Sequence, residues 1–139
     1  MNLTSSEVFG IVWDWIQCSP LYAVIPTMYQ YKHPDSTPAS PLKGEFIVVN
    51  SLTNVLGDSQ IATVNVNIYV PDDTPTINKS EQRFPNGKRL GELTKIAYGS
   101  LQGFPVSKRW FFDISSENII SEEEIPYSFA NLKVTLKKF

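Results

Sequence analysis

Ala62-Thr63-Val64-Asn65-Val66-Asn67-Ile68-Tyr69-Val70 is the stretch that decides the fold. Val64, Val66, Ile68 and Val70 share one side of it, and Thr63, Asn65, Asn67 and Tyr69 share the other. Successive side chains of an extended chain point to opposite faces, so this is a half-buried strand with a core face and a solvent face. Pro71-Asp72-Asp73 stops it. Upstream, Glu45-Phe46-Ile47-Val48-Val49-Asn50-Ser51 is a second β-rich run, and Gly57-Asp58-Ser59 punctuates the turn between them. The two runs read as an antiparallel hairpin.

Helical patterns lie on either side of the hairpin. Over residues 4–17, Val8, Ile11, Val12, Trp15 and Ile16 form one stripe at helical spacing. Thr4 and Glu7 have the spacing of a capping box, and Pro20 is expected to end the helix. Phe9 and Trp13 lie to the side of the stripe, where they widen the core face or touch a neighbour. A second helix is expected over about Lys88–Gln102, with Leu90, Leu93, Ala97 and Leu101 inward, Thr94 between them, and Gly103 and Pro105 closing it.

Met28-Tyr29-Gln30-Tyr31 is a candidate short edge strand. Lys108–Ser115 is expected as a strand dense in aromatics, Glu117–Glu124 as an acidic connection, and Tyr127–Leu136 as the last strand. In that strand the apolar members are Phe129, Leu132, Val134 and Leu136. Residues 33–44 carry three prolines and residues 71–87 are polar, so both read as loops. Strands grouped as hairpins with two main helices predict an α+β fold: an antiparallel sheet with the helices packed on one face.

The 139 residues suit one domain, with 12% aromatic side chains to build its core. A formal charge of −2 provides no global basic field to hold nucleic acid. One cysteine, Cys18, cannot close a disulfide within the chain, and it reads as a small apolar residue near the core. The first residues lack the basic and apolar regions of a secretory signal, and no apolar run nears the roughly 20 residues that span a bilayer. Synthesis in a cytoplasm, without a membrane partner, is the expectation.

Catalytic and metal chemistry is not evident. His33 is the only histidine, fifteen residues from Cys18, and it reads as a solvated loop residue. No metal site, cofactor site or nucleophile–base pair is expected, and the chain is not expected to be an enzyme. Asp72 and Asp73 read as turn residues. Glu122, Glu123 and Glu124 read as a solvated acidic loop whose side chains do not aim at one point. The basic residues Lys79, Arg83, Lys88 and Arg89, and Lys133, Lys137 and Lys138, read as surface charge and edge protection.

Phe46-Ile47-Val48-Val49-Asn50-Ser51-Leu52 and Val64-Asn65-Val66-Asn67-Ile68-Tyr69-Val70-Pro71-Asp72 also carry a resemblance, together with the polar loop, the helix opening at Arg89-Leu90 and the final strand. In this order the chain resembles the tail-completion, or tail-terminator, proteins encoded in phage and prophage tail modules. The resemblance implies a structural virion protein that forms a ring, a hexamer, at the head-proximal end of a tail. Such a ring would end the tail tube and meet the head connector, so its partners would be copies of itself, the tube protein and the connector protein. DNA would pass through without specific binding. Candidate interface residues are Phe9, Trp13, His33, Asp35, Leu42, Asp72, Asp73, Arg83 and Lys88. Glu122, Glu123 and Glu124 are candidates for the channel or its rim. The alternative is a small non-viral adaptor or ligand-binding module, with Trp13, Trp15 and Trp110-Phe111-Phe112 lining a pocket.

Overall fold

A computed structural model describes residues 2–103, 105–107 and 109–138. The fold is α+β. A five-stranded, mostly antiparallel sheet packs its helices on one face. The elements run α1 (Ser5–Gln17), α2 (Pro20–Val24), β1 (Met28–Gln30), β2 (Phe46–Val55), β3 (Ile61–Pro71), β4 (Thr76–Ile77), β5 (Ser80–Glu81), α3 (Gly87–Leu101), β6 (Trp110–Ser121) and β7 (Tyr127–Lys138). The order across the sheet is β1-β2-β3-β7-β6, and β4 and β5 form a separate small ribbon within the polar loop.

The alternating stretch lies on the central strand. Val64, Val66, Ile68 and Val70 are buried together with Val8, Val12 and Ile16 of α1 and with Leu90, Leu93, Ala97 and Leu101 of α3. The capping box forms as its spacing requires: Thr4 Oγ1 accepts from Glu7 N at 3.1 Å, and Glu7 Oε1 accepts from Thr4 N at 3.1 Å. Asn86 caps α3 by accepting from Arg89 N. Gly103 takes φ +68° just beyond α3, a left-handed value that costs glycine least.

Several boundaries differ from expectation. Pro20 does not end α1, which closes at Gln17; it opens the short α2, where its fixed φ suits the first helical position and its missing N–H costs no bond. The edge strand β1 runs parallel to β2, pairing Met28 with Ile47 and Gln30 with Val49. β2 runs on to Val55 and β7 to Lys138. β6 spans Trp110–Ser121, so most of the expected acidic connection is strand; Lys108, the expected first residue, lies outside the described residues. Phe129 turns away from Leu132, Val134 and Leu136 onto the opposite face, where it joins Phe46, Val48, Tyr69, Ile125 and Tyr127. Cys18 is exposed rather than near the core, because it caps α1 at the surface.

Candidate functional site

The face of the sheet away from the helices is apolar at one end and polar toward the middle. At the apolar end, Phe46 stacks on Tyr69 with ring centroids 4.7 Å apart, and Tyr69 stacks on Phe129 at 4.7 Å. The middle carries asparagines from three adjacent strands. Asn65 Nδ2 donates to Asn50 Oδ1 at 2.8 Å, and Asn131 Nδ2 donates to Asn67 Oδ1 at 2.6 Å and to Asn65 Oδ1 at 3.2 Å. Side-chain amides both donate and accept, so a cross-strand row of them can satisfy itself.

Between these two regions lies a cleft of about 240 Å³, lined among others by Tyr31, His33, Asn50, Asn67, Tyr69 and Glu122. His33 is 7% exposed, which corrects its reading as a solvated loop residue. Its ring packs edge-on to Tyr69 at 5.7 Å. Nδ1 lies 2.8 Å from the Pro34 carbonyl, which only accepts, so Nδ1 carries hydrogen. Nε2 then faces the carboxylates of Glu122 and Glu124, each 3.7 Å away. Thus two members of the acidic run do aim at one point. They are two positions apart in the short link from β6 to β7, and both reach the same ring. Tyr69 Oη donates to Glu122 Oε2 at 3.2 Å. Burial, and next the negative charge of Glu122, push the Tyr69 hydroxyl well above the usual tyrosine range.

A second polar knot lies beside the cleft. The Asp72 side chain is 1% exposed and meets Arg83 Nε at 2.8 Å, while Ser128 Oγ donates to its Oδ1 at 2.6 Å. Arg83 also donates to the carbonyls of Glu122 at 2.7 Å and Ile125 at 3.4 Å. Asp72 is therefore a buried acceptor rather than a plain turn residue, while Asp73 is exposed.

The other candidate residues scatter. Phe9 is buried and Trp13 half-buried; they stack at 5.8 Å, and Phe9 stacks on Tyr31 at 5.1 Å, so this pair widens the core face of α1. Leu42 packs on the Phe46 cluster. Asp35, Lys88, Glu123 and Glu124 are exposed. Trp13 and Trp15 do not share a pocket: Trp15 meets Phe112 edge-on at 5.4 Å and donates its indole N–H to Ser100 O at 2.8 Å. Sequence reasoning missed Tyr69, Asn67, Asn131 and Ser128 as members of these networks. Among the described residues no group of three or more His, Cys, Asp and Glu is placed to hold a metal ion, and no helix is long and apolar enough to cross a membrane.

Large aliphatic side chains are exposed in several places, Val24 of α2 and Ile77 of β4 among them. Leu52, Val55, Leu56 and Ile61 surround the tip of the β2–β3 hairpin, and Ile119 and Ile120 lie on β6. No protein-family model matches the chain, and no curated protein is similar to it.

Proposed function

We propose that this chain is a structural subunit that closes into a ring at the head-proximal end of a phage tail, ending the tube and joining it to the head connector. The observation that carries the ring is that both the β2 and the β6 side of the sheet leave aliphatic side chains in water. Val55 is 62% exposed at the hairpin tip and Ile119 is 48% exposed on β6. Two different exposed sides on one subunit suit head-to-tail contact, in which each copy touches two others and rotation closes the set. The place in the virion rests on the likeness of the hairpin, the polar loop and the final strand to tail-terminator proteins, which also suggests six copies. In this reading the chain works by association rather than catalysis. Its acidic Glu122–Glu124 turn lies at the channel or its rim, where negative charge keeps passing DNA from binding.

Native mass measurement and imaging of assembled particles test the proposal. The expected result is a single ring of this chain where tail meets head. Infectious particles built without it would overturn the reading. The cleft at His33 and Tyr69 favours a second reading, a ligand-binding module; saturable uptake of a small polar molecule by a monomer, abolished in Tyr69→Ala, would support that instead.

A further inference from the structure

We propose that neighbouring copies join sheet to sheet, the open half of β6 in one subunit pairing antiparallel with the open half of β2 in the next. This rests on the ring reading above and adds the surface that would build the ring.

Each outer edge of the sheet is covered at one end only. On β2, β1 pairs along Ile47, Val48 and Val49, Ile47 N donates to Thr27 O, and Val49 O accepts from Tyr31 N. Beyond that, no backbone group among the described residues bonds the outer side of residues 51–55. On β6, Val106 N and Ser107 N donate to Trp110 O, and Pro105 bridges to Phe111. After the register shift between Ile114 and Ser116, the outer side of residues 116–121 is likewise unbonded by described residues. Unpaired backbone groups along an edge are a template for strand addition. Proteins block that with prolines and charges; these two segments contain no proline and one charged residue, Glu117. Each open half also carries exposed aliphatics: Leu52 and Val55 on one, Ile119 and Ile120 on the other.

Direction and register fit this pairing. β2, β3, β7 and β6 alternate in direction, so β6 runs opposite to β2. A copy related by rotation about a ring axis therefore presents its β2 antiparallel to β6. The open halves lie diagonally across the sheet. Ile119 is level with Ala130, Ala130 with Ile68, and Ile68 with Ile47. The open half of β2 is centred on Thr53 instead, about five residues further along once the bulge at Leu52 is absorbed, or roughly 16 Å at the usual strand rise. One repeat from β2 to the next β2 crosses four strand spacings, about 19 Å. That stagger over that width tilts the strands by about 40° from the ring axis, within the range in which sheets close into barrels.

Cysteine cross-linking in a Cys18→Ser background tests the pairing. Thr53 and Asn118 share the face away from the helices and lie near the centres of the two open halves. Mild oxidation of a variant with both Thr53→Cys and Asn118→Cys should give a ladder of covalent multimers, and neither single variant should cross-link. Dimers from Asn118→Cys alone would mean a two-fold β6–β6 contact and overturn the proposal. A ring seen by native mass without a ladder would overturn the edge pairing and leave the ring reading standing. Monomers at every concentration, with no ladder, would sink both. Ile119→Lys combined with Ile120→Lys should shift the mass to monomer with an unchanged circular dichroism spectrum; an intact ring in that variant would also count against the edge.

Discussion

The imidazole Nε2 of His33 lies 3.7 Å from Oε2 of Glu122, across the cleft between the proline-rich loop and the β6–β7 turn. Through this contact and the packing of Leu42 on the Phe46 cluster, the 33–44 loop is fastened near both ends while its middle is exposed. His33→Ala should free one fastening. Limited proteolysis should then cut within residues 34–41 several times faster, with a stability loss of about 1 kcal/mol, because Glu122 keeps its bond from Tyr69 and Glu124 is exposed. An unchanged cleavage rate would show that Leu42 alone holds the loop.

Asp72 and Arg83 should behave unequally. Arg83→Ala leaves a buried carboxylate with Ser128 as its remaining side-chain donor, which costs about 1–3 kcal/mol because the Arg83 end of the pair is exposed. Asp72→Asn leaves a guanidinium that still reaches water and two carbonyls, so its loss should be smaller. In urea unfolding, the double variant should be more stable than Arg83→Ala alone. Strict additivity of the two changes would mean that the pair is not coupled.

The tyrosines set a sign for alkaline pH. The hydroxyls of Tyr69 and Tyr127 are both held above the ordinary value, first by burial, so the folded state keeps protons that the unfolded chain releases. Stability from this source is fully present below the ordinary tyrosine pKa of about 10 and falls as pH rises beyond it. Tyr69→Phe should lower stability near neutrality by about 1 kcal/mol, through loss of the bond to Glu122, yet flatten the alkaline decline. Unfolding midpoints measured from pH 8 to 11 would show it, and parallel curves for the two proteins would contradict it.

Thr94 offers a gain. Its Oγ1 is buried without a hydrogen-bond partner among the described residues. Thr94→Val keeps the shape and removes the orphan hydroxyl, so it should stabilise by about 1 kcal/mol in thermal or urea melts. A loss of stability would mean that the hydroxyl has a partner in solution.

Val66 is fully buried on the central strand. Val66→Asp places an unpaired charge there and should cost several kcal/mol, enough to unfold a domain of this size. Calorimetry that shows a native-like melt would put the strand register in doubt.

The sheet and both main helices were legible because period-two alternation at Val64–Val70 and helical spacing at Val8–Ile16 each report burial locally. The cleft was not, because it depends on contacts that no local pattern encodes. Tyr69 sits among Thr63, Asn65 and Asn67, and alternation assigns all four to solvent; the loop that covers it starts more than thirty residues earlier, at His33. Asp72 follows Pro71 in a standard turn signal, and only the pairing of β3 with β7 brings Ser128 to it. The length of β6 was missed because an exposed edge strand needs no apolar alternation: Ser116, Glu117 and Asn118 read as loop in composition while they pair with Lys133, Leu132 and Asn131.

One side chain makes two distant parts of the chain mechanically continuous. Arg83 grips Asp72 at the root of its own loop and, with the same guanidinium, the carbonyls of Glu122 and Ile125 in the turn after β6. A pull on the β4–β5 ribbon is therefore delivered to the β6–β7 turn directly, without first passing through α3. The ribbon works as a lever whose short arm is a single residue, and a partner that seizes Ile77 or Phe84 on its exposed side takes hold of that lever. The load then arrives beside Glu122, where the His33 loop is fastened.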